Sequence, residues 1–179
     1  MSADAAGEQV IAIDPASRRC GWAVLQRQEP GQDWAVVRAG LLEGRSGDPP
    51  WCRIRDLAQT LHATIMEQAR VGCDVVLELP RGGPGTGSRA GASSSLIVYG
   101  MAAGYIWRSL AIAATHASAT LHLVAEDDWT RGWTKSARVM AASAAMGSAY
   151  RAAEDPSADM ADAICLGLWW SRRRCGAGG

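Results

Sequence analysis

The chain contains no phenylalanine, a single lysine, and no C-x-x-C pair among its five cysteines. Cys20, Cys52, Cys73, Cys165 and Cys175 are odd in number and scattered, and the three histidines show no ligand spacing, which excludes a zinc cage and a disulfide framework. Reduced, mostly buried thiols are expected instead. Without Phe, the core must be filled by aliphatic side chains and tryptophan. Trp22, Trp107, Trp169 and Trp170 fall within expected strands or helices and are assigned to the core. Trp129 and Trp133 fall in an expected loop, where an exposed ring could stack on nucleic-acid bases. No uninterrupted apolar run reaches membrane-span length: Leu96 to Ala114 is broken by Gly100, Gly104, Arg108 and Ser109. Met1 to Gln9 carries Asp4 and Glu8 and lacks the basic and apolar regions of a secretory signal, so a cytoplasmic protein is expected.

Net charge is also missing, at a formal value of +0, and this weighs against a nucleic-acid partner, which usually calls for a basic footprint. The distribution softens the point. Arginines cluster at 18–19, 53–55 and 172–174, and acidic residues that hold metal ions would cancel basic ones elsewhere.

What is present is an ordinary globular composition, 48% hydrophobic and 20% charged over 179 residues, enough for one domain with a substantial core. Residues 1–8 and 174–179 are expected to be flexible tails. Gln9–Ile13 and Gly21–Leu25 are short β-branched runs across a polar turn, and Trp34–Leu42 supplies a third strand of an antiparallel meander. Apolar residues from Trp51 to Val71 recur at helical spacing, Cys73–Leu79 follows as a buried strand, and Arg81–Gly91 is a glycine-rich loop. A long helix over 92–114, a strand over Thr120–Ala125, an alanine-rich helix over Ser136–Met146 and a last helix complete the chain. Asp155 is its expected N-cap, Pro156 its first residue, and Arg173 its approximate end. The pattern predicts an α/β fold: a mixed five-stranded sheet, three antiparallel strands and then parallel ones, with helices on both faces.

Four acids stand out. Asp14 ends the first strand after Ile11-Ala12-Ile13, a place where an Asp-Pro is more often a turn. Glu78 lies inside Val75-Val76-Leu77-Glu78-Leu79, and a carboxylate in such a strand is costly unless paired or metal-bound. Asp159 and Asp162 share one face of the last helix at i, i+3 spacing, although an acidic first turn also suits the helix dipole. Taken together, hard carboxylate oxygens in this number are how a protein holds a pair of Mg²⁺ ions for phosphodiester hydrolysis.

Through Ile13-Asp14-Pro15-Ala16-Ser17 with Gly21-Trp22, Leu77-Glu78, and Asp159-Met160-Ala161-Asp162-Ala163, the chain resembles the RuvC family of Holliday-junction resolvases. Ser94-Ser95-Leu96 with Gly100 and Gly104, and the GWTKSARV stretch from Gly132 to Val139, are similar more loosely. The resemblance implies an RNase H-like fold, a homodimer, and paired nicks across branched DNA. It implies that Asp14, Glu78, Asp159 and Asp162 are both the metal-binding and the catalytic set, with two Mg²⁺ ions that Mn²⁺ can replace. Lys135 matches a family position that contacts DNA phosphate; Arg131 and Arg138 beside it, and Arg81 and Arg89 in the loop, are further candidate DNA contacts. Where the family often carries an aromatic residue after the glutamate strand, this chain has Pro80, Arg81 and glycines, which points to a divergent branch of bacterial or phage origin.

Two rivals are weaker. Gly82 to Ser88 lacks the lysine that a phosphate-binding Walker loop requires. An actin-like or sugar-kinase phosphotransferase shares the RNase H-like sheet, but it needs a duplicated fold that 179 residues do not hold. A junction-binding protein that does not cut is the remaining alternative, opposed by the presence of all four acids.

Overall fold

The computed structural model describes residues 7–16, 18–29, 31–79 and 92–176, with side chains 92–97, 99, 175 and 176 outside that description. Ser17, Pro80 and the whole glycine-rich loop, with Arg81 and Arg89, lie outside the described residues. In chain order the elements are β1 (Glu8–Pro15), β2 (Arg19–Arg27), β3 (Ala35–Glu43), α1 (Pro50–Gln68), β4 (Asp74–Leu79), α2 (Ala92–His116), β5 (Thr120–Ala125), α3 (Glu126–Trp129), α4 (Lys135–Met146) and α5 (Asp159–Gly176). No described helix is long and apolar enough to cross a membrane.

The strands form one sheet in the order β3-β2-β1-β4-β5. β1, β2 and β3 pair antiparallel, as short turns between them require, whereas β4 and β5 run parallel to β1 and are reached through helical crossovers. This is the mixed five-stranded sheet expected from the sequence. Side chains alternate across it. Val10, Ala12, Ala23, Leu25, Val76 and Val124 face α4 and α5, while Ile11, Ile13, Val24, Val75 and Leu77 face α1 and α2. Both faces are covered, which is why β1 and β4 read as unbroken apolar runs rather than alternating ones.

α5 lies very close to the sheet. A Cβ on Gly167 would collide with Leu25 and crowd Ala12, and one on Gly21 would run into the backbone of Asp159 and Met160. Gly21 is thus the seat on which the start of α5 rests. At the other end, the buried Asp74 at the start of β4 accepts from Trp170 Nε1 at 2.9 Å, meets His122 Nε2 at 3.0 Å and pairs with Arg174 at 3.1 Å. The helix is pinned at both ends.

Two sequence expectations are corrected here. α5 begins at Asp159, not after Asp155 and Pro156. Ala158 takes a positive φ of 61°, which breaks the helix there. The buried Asp155 still caps it from a distance, its carboxylate accepting from Ala161 N at 2.9 Å, Met160 N at 3.2 Å and Tyr150 Oη at 3.0 Å. Trp107, assigned to the core, is 47% exposed. α2 is apolar nearly all round, so its periodicity could not choose a face; the stripe that packs inward is Ala102, Ile106, Leu110 and Ala113. Trp22, Trp169 and Trp170 do pack against the core.

Candidate active site and metal centre

β1 and β4 pair in parallel register up to Ile13 and Leu77, so Asp14 and Glu78 are the next residues along on adjacent strands. They share parity with Ala12 and Val76, and both therefore project to the face covered by α5. The chain supplies the second pair of acids from above. Seated on Gly21, which pairs with Asp14 across β1 and β2, the first turn of α5 brings Asp159 and Asp162 over the strand ends. Asp14 is 8% exposed and Glu78 6%, with the two helix acids half-buried.

The four charges feel one another. Burial holds the Asp14 carboxyl well above the ordinary carboxylate range, with Glu78, Asp162 and Asp159 raising it further. Burial is also the main cause lifting Glu78 to about 7, reinforced by Glu126 and Asp162. Asp162 rises to about 6, mainly through burial, against the pull of Arg138 and Lys135. Such values mark a cluster of negative charge without enough compensation, the condition a divalent cation relieves. Among the described residues no three Asp, Glu, His or Cys side chains stand together in a group that could hold a metal ion as placed. The donors nevertheless suit a hard cation: they are all carboxylate oxygens, and the charges of the other three raise the proton affinity of Asp14.

Basic residues line the same cleft. Lys135 and Arg138 sit at i, i+3 on α4, facing the i, i+3 acids of α5, and Arg138 Nε lies 2.6 Å from Asp162 Oδ1. Lys135 is exposed, and its charge reaches Asp162. Arg131 is exposed in the turn between α3 and α4. Arg19 ion-pairs with Glu43 at 2.9 Å and also donates to Ser157 Oγ at 3.4 Å, and Ser157 in turn donates to Asp159.

The structure reverses the expectation for Trp129. It is 3% exposed, so it cannot stack on DNA; its indole N–H instead donates to Glu78 Oε2 at 2.8 Å. Trp133 is half-buried against the same core. Sequence reasoning also missed Glu126, the first residue beyond β5 and, after burial, the largest cause of the Glu78 shift. The available signal was positional: like Asp14 and Glu78, Glu126 stands at the C-terminal end of a parallel strand, where open α/β sheets place their sites.

Comparison with solved structures decides the fold. A Thermus thermophilus RuvC structure superposes with a TM-score of 0.61 at 14% identity, covering 93% of this chain and 97% of that one. The fold is that of the RuvC resolvases. T. thermophilus RuvC in complex with Holliday junction substrate gives 0.60 at 15% identity over 92% of this chain and 96% of that chain. A fowlpox virus resolvase in complex with substrate Holliday junction DNA gives 0.54 at 9%, over 92% and 99%. No family model matches the chain, and no curated protein does either. The RuvC-like architecture therefore persists here with little of the sequence that usually accompanies it.

Proposed function

We propose that this protein is a Mg²⁺-dependent endodeoxyribonuclease that nicks branched DNA, with four-way junctions as its principal substrate. One observation carries the proposal: Asp14, Glu78 and the Asp159–Asp162 pair, distant in sequence, stand close enough that the other three raise the proton affinity of Asp14, with Glu78 and Asp162 raised as well. Protein scaffolds tolerate such crowding where function requires it.

In this proposal the four carboxylates hold two divalent ions, which when bound activate water and stabilise the leaving oxygen of the phosphodiester. The protein's own residues do the rest. Asp14 and Glu78 are fixed by the sheet, which makes them the rigid half of the site. The seat on Gly21 and the cap from Asp155 set where the first turn of α5 carries Asp159 and Asp162. Trp129 orients Glu78 by donating to Oε2. Lys135 and Arg131, both exposed, are proposed to meet DNA phosphates, as are Arg138 from its place beside Asp162 and Arg81 and Arg89 from the loop. Mn²⁺ is expected to replace Mg²⁺, and two subunits acting as a homodimer would deliver the paired nicks.

The test is cleavage of a synthetic four-way junction by the purified protein with Mg²⁺, Mn²⁺ or chelator, alongside Asp14→Asn. Metal-dependent paired nicks that vanish in Asp14→Asn are expected. Cutting that survives the substitution, or an absence of cutting on junctions, forks and flaps alike with either metal, would end the proposal.

A further inference from the structure

Arg138 is placed oddly for a DNA contact. Its guanidinium is largely buried, and Nε lies 2.6 Å from Asp162 Oδ1 in a close, charged contact. The charge reaches beyond one partner, because it also opposes the proton affinity of Asp14 and Glu78. Beneath it lies Trp129, with the guanidinium carbon 5.6 Å from the ring centroid. The same indole donates to Glu78, so Glu78, Trp129, Arg138 and Asp162 form one continuous chain from β4 to α5. The Arg138 backbone is tied to α5 as well, its carbonyl accepting from Cys165 Sγ at 3.5 Å.

We infer that Arg138 is the resident counter-cation of the metal-free site, and that a divalent ion must displace it from Asp162, freeing a guanidinium held over the Trp129 ring to take a DNA phosphate. The inference rests on the metal-nuclease proposal and adds a coupling to it. One positive group serves the acids before the metal arrives and the substrate afterwards, so metal loading and phosphate binding favour each other through Arg138. A long, planar guanidinium on an aromatic ring suits both duties; it pairs with a carboxylate or a phosphate with little change of position.

Binding of MnCl₂ alone, without DNA, to the full-length protein tests it by calorimetry. Arg138→Gln removes the competing cation and is expected to tighten Mn²⁺ binding on the order of tenfold, even as junction affinity falls. Trp129→Phe keeps a ring under the guanidinium, so the competitor stays and no such gain is expected. In wild-type protein labelled with ¹⁵N, the Arg138 Nε resonance should move on MgCl₂ titration with the midpoint of metal binding; this measurement stands even if a variant does not fold. Unchanged or weaker Mn²⁺ binding in Arg138→Gln, an equal gain in Trp129→Phe, or an Arg138 resonance indifferent to saturating Mg²⁺ would each overturn the inference while leaving the nuclease proposal intact. Absence of any Mn²⁺ binding by the wild-type protein would overturn both.

Discussion

Replacing Glu78 with glutamine should stabilise the metal-free protein while abolishing the metal binding proposed for it. Burial, with the neighbouring Glu126 and Asp162, lifts this carboxyl from 4.5 to about 7. The folded state therefore binds a proton more tightly than the unfolded chain does. The stability it contributes is fully present below 4.5 and is lost as the pH rises through about 7. At 1.36 kcal/mol per pH unit, the ionised side chain costs the fold about 3 kcal/mol above pH 8, and about 1–3 kcal/mol once neighbouring groups relax. Glutamine removes the charge but keeps an oxygen to accept from Trp129 Nε1. Glu78→Gln is thus expected to melt several degrees above wild type at pH 8, since each kcal/mol moves the midpoint by about 2–4 °C in a chain of this size. The gap should narrow as the pH falls through 7 and be nearly gone at pH 4.5. Saturating Mg²⁺ should reverse the order, raising the wild-type midpoint but not that of the variant. Thermal melts followed by circular dichroism in chelator across that pH range provide the assay. A variant that melts below wild type at pH 8 without metal, or a gap that does not depend on pH, would refute the assignment of Glu78 as a crowded, uncompensated acid.

Gly21→Ala should displace the start of α5, because its Cβ collides with the Asp159 backbone. Since misplacements near 1 Å can cost about a hundredfold in rate, single-turnover junction cleavage is expected to fall by roughly that factor, with only about 1–3 kcal/mol lost in denaturant melts. Asp155→Ala removes the acceptor for Met160 N, Ala161 N and the Tyr150 hydroxyl, and urea titration should show a loss of about 1–3 kcal/mol. Asp74→Ala strands Trp170, His122 and Arg174 at the far end of the sheet; about 2–4 kcal/mol of stability should go, while Mn²⁺ affinity stays at the wild-type value.

The sheet was legible, and the four acids stand out in the sequence, because each depends on local chemistry. Val75 to Leu79 is too apolar to be anything but a buried strand, and a glutamate inside it demanded a partner. Asp159 and Asp162 needed only helical spacing to share a face. What stayed hidden depends on tertiary placement. The stretch Glu126-Asp127-Asp128-Trp129 is polar enough to read as a surface loop, yet one helical turn folds the indole inward onto Glu78. The start of α5 was misjudged because Asp155-Pro156 is a good cap signal locally, while the packing of Asp159 on Gly21 sets the true beginning. On α2, apolar residues on every side left the inward stripe unmarked.

The seat formed by Gly21 joins the second strand to the last helix, across most of the length of the chain. Strand and helix therefore keep register through bare backbone, and any side chain placed at residue 21 would shift both helix acids together rather than one at a time.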